Sequence, residues 1–359
     1  IVGLEAGRHP VEAARQAIPL AARMTEAIGP AALLLSSPPP EVPFDERVTV
    51  NKERVDAIAA LIGSLPGFDP FTFTGPDLPA PGHRAALDYF FVTTLQQFGF
   101  WTAKHGRYDR PLIATVAGEE RKGAFYLFRA CLRWLEDDPA KLTPVGQANL
   151  SEAELREVLQ ADDGSQPVPA FDLHLTLAQR YGRDMQALDM TPRSLVDRAN
   201  AAQVPLHAFL RQLDHIGGYK EDPLRKKAGL LAMILQQRPE RFLSDKGADI
   251  PPVVDYHVMR SCLRIGLVDV VDEALEAKLC AREVLSEEEE WAIRSAAHRA
   301  VEGVAKTSGK SMGAVDWFFF QARQRCPEMS EPRCEECAVN SACAHRKRLF
   351  QPILRTSFY

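Results

Sequence analysis

Four of the seven cysteines fall within the eighteen residues Cys326–Cys343, at the spacing C-x7-C-x2-C-x5-C. Thiols packed so closely in sequence confine this stretch to a loop whose path is set by what they bind. A Cys-x-x-Cys pair places two thiolates on one metal or cluster, and the outer two close the cage. The run therefore reads as one site for a metal or an iron–sulfur cluster of the [4Fe–4S] kind, held by Cys326, Cys334, Cys337 and Cys343. Zinc is the alternative, since structural zinc sites use the same four-cysteine ligand set. The run lacks the two evenly spaced Cys-x-x-Cys knuckles of a zinc ribbon. Disulfides are a third reading, but clustered rather than scattered cysteines argue for a reducing compartment, hence the cytoplasm. The remaining cysteines, Cys131, Cys262 and Cys280, lie in helical stretches and read as buried thiols.

A chain of 359 residues can bury a large core, as one big domain or two closely packed ones. At 46 % hydrophobic and 25 % charged residues, the composition is that of an ordinary globular protein. No apolar run approaches the ~20 residues needed to cross a membrane, and no signal-peptide pattern is seen, so no membrane partner is expected. The net charge of −5 argues mildly against a protein that coats itself in nucleic acid, without excluding a local basic patch.

Taken in order, residues 11–28 read as a helix with Ala13, Ala17, Leu20, Ala21, Met24 and Ile28 at helical spacing, kinked at Pro19. An apolar run Ala31–Leu35 leads into Pro38-Pro39-Pro40. Val48–Val50 is extended, and Asn51 caps a helix over 52–64. Residues 65–85, with five prolines and three glycines, form a wrapped loop. Positions 89–101 carry six aromatic residues, a buried helix followed by an aromatic knot. The sharper alternative makes that knot a wall that stacks on a planar base. A turn is expected at Arg107–Arg110, a strand at Leu112–Val116, a second turn at Gly118–Gly123, and a helix over 123–136. Thr143–Asn149 reads as a loop, and Ser151 with Glu154 as the capping box of helix 151–160. Beyond Asp162-Asp163-Gly164-Ser165 the period is helical throughout, over about 171–187, 192–201, 205–213, 223–237, 255–265, 272–280, 286–306 and 312–323. No Gly-x-Gly-x-x-Gly, Walker lysine loop or internal repeat occurs, which removes the commonest dinucleotide and NTP folds. The expected fold is mainly α, with a small β element in the first third.

The second focus is Asp249–Arg260. Two prolines and two valines lead an apolar backbone up to Asp255, which caps the next helix. Its plainest role is the cap itself. A capping carboxylate also sits near helix N–H groups, which favours the anion and fixes its aim. Cleavage of a glycosidic bond needs such an anion, because the sugar becomes oxocarbenium-like as its base departs.

Val254-Asp255-Tyr256-His257-Val258 resembles the Val-Asp-x-His-Val signature around the catalytic aspartate of helix-hairpin-helix DNA glycosylases. The cysteine run resembles the iron–sulfur loop that ends the endonuclease III and MutY type of that family, including the Pro-basic pair (Pro332-Arg333) before the second cysteine. Its first gap is one residue longer than that family's usual six. Gly217-Gly218-Tyr219 is the nearest thing to the family's Gly-x-Gly hairpin. Arg225-Lys226-Lys227-Ala228 resembles the start of the helix carrying the lysine of bifunctional glycosylases, which would make Lys226 its counterpart. A solvated basic helix start is the plain reading of that lysine.

A second resemblance covers about residues 11–322. Val48–Ile62, Ala86–Trp101, Lys122–Asp137, Lys226–Leu231, Asp249–Arg260 and Val315–Phe320 are similar to the queuosine salvage protein family. Its members are N-glycosylases that free queuine from the queuosine 5′-monophosphate nucleotide, with a fold akin to the DNA glycosylases. The resemblance makes Asp255 the nucleophile or cation stabiliser and Asp316 the carboxylate that hydrogen-bonds the base. It places Trp317 where the family has a tyrosine. Val253 replaces an aromatic, Gln321 an aspartate and His257 an arginine, and the family has no cysteine cluster. Glutamine donates as well as accepts, so a different base is implied.

The expectation is thus a DNA-glycosylase-like helical fold in three portions: residues 1–165, aromatic-rich; 166–325, carrying Asp255; and 326–359, the cluster loop and tail. The pocket should lie between the first two. The expected reaction is hydrolysis of the N-glycosidic bond of a modified, 7-deazapurine-like nucleoside or nucleotide. The alternative is base excision from DNA, and a third reading is a base-binding protein that does not cleave. Asp255 and Lys226 are the catalytic candidates. Val253, Tyr256, Asp316, Trp317, Gln321, Phe98, Phe100 and Trp101, with Tyr89, are the binding candidates. His83, His105, His174, His207 and His215 read as ordinary, and Glu287–Glu290 as an exposed acidic first turn. Glu328 and Glu331, in the Cys326–Cys334 loop, are expected to repel phosphates, against a basic rim of Arg323, Arg325 and 345–348.

Overall fold

The computed structural model describes residues 45–246, 249–352 and 356–359. The helix expected over 11–28, the run 31–35 and the triple proline lie outside the described residues. Within them the protein is mainly helical, with thirteen α-helices and six short strands. The strands form three separate two-stranded antiparallel ribbons.

Val48–Val50 is a strand, but its partner is distant in sequence: Val268–Val270, with Val48 opposite Val270. The β contribution is therefore not confined to the first third. Asn51 caps helix Lys52–Ser64, its side chain accepting the Arg54 N–H at 2.9 Å. That helix lays Val55, Ile58, Ala59 and Ile62 into the core. It can lie close along helix Glu287–Ser308 because Gly303 sits opposite, where a Cβ would be 3.1 Å from Val55.

Helix Ala86–Leu95 is buried on every side except at Asp88, the mark of an apolar element at the centre of a fold. The two expected turns are corrected. Arg107–Pro111 is a strand paired with Trp101–Lys104, and Glu119–Lys122 is a strand paired with Ile113–Val116. The chain reverses instead at His105-Gly106 and Ala117-Gly118, all four at positive φ as two-residue hairpin loops require. Thr143–Asn149 is not a loop either. Thr143 caps a short helix, Pro144–Ala148, with proline at the first position, where its missing N–H costs nothing.

The Ser151–Glu154 capping box is present. Helices follow at Phe171–Ala187, Pro192–Asn200, Pro205–Leu213, Lys226–Gln237, Tyr256–Ile265, Glu273–Ala281, Glu287–Ser308 and Met312–Ala322, close to the expected spans. One apolar core runs from Val48 to Phe358 and Tyr359, with contributions from all three sequence portions. Two side-chain expectations change with it. Glu290 is buried, not exposed, and accepts a hydrogen bond from the Tyr359 hydroxyl at 2.6 Å. Cys131 and Cys262 are buried, whereas Cys280 is only half-buried. No helix among the described residues is long and apolar enough to cross a membrane.

Candidate functional site

The extended stretch before Asp255 is fixed by Arg294, whose Nε donates to the Val254 carbonyl at 3.1 Å. Asp255 then caps helix Tyr256–Ile265: its Oδ1 accepts from the His257 N–H at 2.8 Å and the Val258 N–H at 3.0 Å. One carboxylate oxygen is thus committed to the helix. Among the described residues no hydrogen bond engages Oδ2, and Asp255 lines a pocket.

Arg294 also orders the opposite wall. It is completely buried, and its Nη1 and Nη2 donate to the two oxygens of buried Asp222 at 2.8 and 2.7 Å. Burial alone would raise the Asp222 carboxyl, but Arg294 outweighs it and holds it below the usual carboxylate range. Asp222 in turn accepts from the Lys226 N–H at 2.7 Å, setting the first turn of helix Lys226–Gln237. Lys226 is consequently not a solvated basic residue. It is 4 % exposed, its Nζ donates to the Gln97 carbonyl at 3.0 Å, and burial lowers its basicity. It lines the same pocket as Asp255.

Ser311 caps helix Met312–Ala322, whose one-turn spacing sends Asp316 and Phe320 to the same side. Asp316 faces the pocket, and its carboxyl is pushed up to about 8, first by burial and then by the neighbouring Asp255 charge. Asp316 is half-buried, and its carboxyl keeps its proton to higher pH than an ordinary aspartate does. Trp317 is the middle ring of three that stack. It lies 4.4 Å from Phe71 at 12° and 5.4 Å from Phe320 at 16°. Such stacked flat faces suit a planar ring system.

Asp255, Lys226, Asp316, Trp317, Phe100, Val253 and Tyr256 all line this pocket. Four further candidates do not. Tyr89 is fully buried, its hydroxyl donating to the Phe128 carbonyl at 2.6 Å. Phe98 stacks on His174, with centroids 4.0 Å apart. Trp101 packs edge-on against Tyr108, Tyr256 and Phe350. Gln321 is exposed, one position past the inward face of its helix. Sequence reasoning missed Phe71 and Phe73, which come from the proline-rich loop, and Gln97, Lys122, Phe125, Phe320 and Arg323. It named His257 only as a replacement, yet the residue lines the pocket.

The four clustered cysteines line one second cavity, at the far end of the Asp255 helix. All are free thiols. That helix is ten residues long, so the cavity lies about 15 Å along it from Asp255. The segment docks on the helix end: Arg264 donates to the Leu349 carbonyl at 2.9 Å and the Pro327 carbonyl at 2.8 Å, and lies 3.4 Å from Cys326 Sγ. Gly266 ends the helix at φ 87°, and a Cβ there would come within 2.7 Å of Ala344. Among the described residues no three Cys, His, Asp or Glu side chains are placed to hold a single metal ion. The donor set nonetheless fits a sulfur-ligated group, with four free thiols on one cavity and a cation beside one of them.

Glu328, expected to project from the loop, is instead 3 % exposed. Burial alone would raise its carboxyl, but His257, Arg260 and Lys122 outweigh that and hold it well below the usual carboxylate range. Glu331 does stay exposed, 3.8 Å from Lys347.

No protein-family model matches the chain, and no curated protein matches it.

Proposed function

We propose that the protein is an N-glycosylase that hydrolyses the bond between a modified, 7-deazapurine-like base and its sugar in a nucleoside or nucleotide. One observation carries the reading: a single aromatic-walled pocket brings together a helix-anchored Asp255 and a second carboxyl, Asp316. The base packs against the aromatic wall that Phe71, Trp317 and Phe320 form together. Asp316 hydrogen-bonds it and donates as negative charge builds on the departing ring. Asp255 stabilises the sugar cation or bonds to C1′. Water then adds to C1′, displacing the Asp255 carboxylate where that has bonded, and gives up its proton to the carboxylate left on Asp316, completing the hydrolysis. Lys226, buried and less basic than a free lysine, is the amine that the resemblance to bifunctional glycosylases would put to use.

The test is release of free base from a panel of nucleosides and their 5′-monophosphates. Release is expected, and it should fall as pH rises through about 8, because Asp316 must hold its proton to donate. Tight binding of a nucleoside with no base released at any pH would replace this reading with that of a binding protein.

A second reading, excision of a base from DNA, draws support from Glu328. With that acid buried and paired, the segment's surface offers Arg325 and Arg348 to phosphates, beside Arg333 and Lys347, which pair with Glu336 and Glu331. Duplex binding that falls steeply with salt, with excision from DNA and none from nucleosides, would favour it.

Cys326, Cys334, Cys337 and Cys343 would hold a [4Fe–4S] cluster, with zinc as the alternative occupant. When bound, such a cluster ties four points of the segment into one rigid unit. Protein purified without oxygen should be brown and carry about four iron atoms per chain. Stoichiometric zinc without visible absorbance would assign the site to zinc.

A further inference from the structure

We propose that Glu328 is a positioning residue that fastens the four-cysteine segment to the pocket, holding Lys122 and His257 at its wall. An acidic side chain in a surface loop gains most by reaching water. Glu328, two residues after Cys326, does the reverse and turns into the protein. Its Oε2 lies 2.6 Å from Lys122 Nζ. Its Oε1 lies 3.1 Å from His257 Nδ1 and 3.5 Å from Arg260 Nη1. Lys122 ends the strand Glu119–Lys122, His257 sits in the first turn after Asp255, and both line the pocket.

Burying a carboxylate is costly unless cations compensate it, and removing it strands them in turn. Without Glu328, Lys122 and Arg260 would face one another beside His257 with no counter-charge from this loop. The backbone beside Glu328 has little freedom to follow them, because the Pro327 carbonyl is already held by Arg264. Glu328 is therefore the point at which the path of the cysteine loop sets the pocket wall. Releasing the cysteines from one another would shift Glu328, only two residues from Cys326, and loosen Lys122.

The test is amine acylation of the full chain, read at single lysines by mass spectrometry. Lys122 is compared with Lys220, which is paired with Asp184 at 2.7 Å away from this region. In the wild-type protein both should react slowly. In Glu328→Gln, and separately in Cys334→Ser, Lys122 should react several-fold faster while Lys220 does not change. Should Cys334→Ser fail to fold, chelator-treated wild-type protein takes its place. Unchanged protection of Lys122 in either case would overturn the proposal. So would a parallel rise at both lysines, which signals general loosening rather than a local clasp. A second arm rests on the glycosylase reading: Glu328→Gln should raise KM more than it lowers kcat, and Glu328→Asp should restore part of the loss. The labelling arm does not depend on that reading, so the two can fail separately.

Discussion

Asp255→Asn should fold like the parent protein and release base about two to three orders of magnitude more slowly, the size of effect seen when one preorganised electrostatic partner of a transition state is lost. The fold should survive because asparagine caps a helix about as well as aspartate. Its side-chain oxygen can still accept from the His257 and Val258 N–H groups, now bonded at 2.8 and 3.0 Å. Volume and the stacking rings are also unchanged, so ground-state binding should persist. What disappears is the charge that would oppose the sugar cation, an interaction needed only as the bond breaks. The loss should therefore fall on kcat rather than KM. Single-turnover base release by the two proteins, with bound ligand measured in parallel, checks it. Undiminished release would reduce Asp255 to a cap.

The cap at Asp255 was legible because it is set within four residues: an apolar approach, a capping side chain, then a helix. That the four clustered cysteines come to one cavity was legible in their spacing. The helices followed from their period. Of the two charged ribbons only Ile113–Val116 was legible, as the strand expected at 112–116; Arg107–Pro111 and Glu119–Lys122 are short and lack the alternation that marks a strand. Aromatic density misled in a specific way. It located a buried region correctly, yet burial does not say which ring faces a cavity: Phe100 does, while Phe98 is spent on His174 and Trp101 on Phe350. Phe71 was hidden because a proline-rich loop has no period to place it, though it supplies an outer ring of the stack on Trp317. Glu328 was misread because charge next to a cysteine looks like loop surface. Its three neighbours, Lys122, His257 and Arg260, lie 68 to 206 positions away, on elements that only the fold brings together.

The Arg294–Asp222 pair shows the same limit at greater energetic stake, since its members are 72 residues apart. Arg294→Met should lower the unfolding free energy by about 3–5 kcal/mol, the range for removing one partner of a buried ion pair. Methionine fills much of the arginine stem's space, so most of the loss is electrostatic. It leaves Asp222, 3 % exposed, without its bidentate partner, and the Val254 carbonyl without the Nε donor. Arg294→Lys should recover only part, because an ammonium cannot bond both Asp222 oxygens and the Val254 carbonyl in the guanidinium's planar geometry. Adding Asp222→Asn to Arg294→Met removes the stranded charge and should restore a measurable share of the stability, a coupling read from the double-mutant cycle. Urea unfolding of the four proteins decides it. A single-variant loss under about 1 kcal/mol would mean that the pair breaks even, as replaced buried pairs sometimes do. The full loss would identify Arg294 as the tie between the two walls, one guanidinium fixing both the stretch before Asp255 and the turn that starts the Lys226 helix.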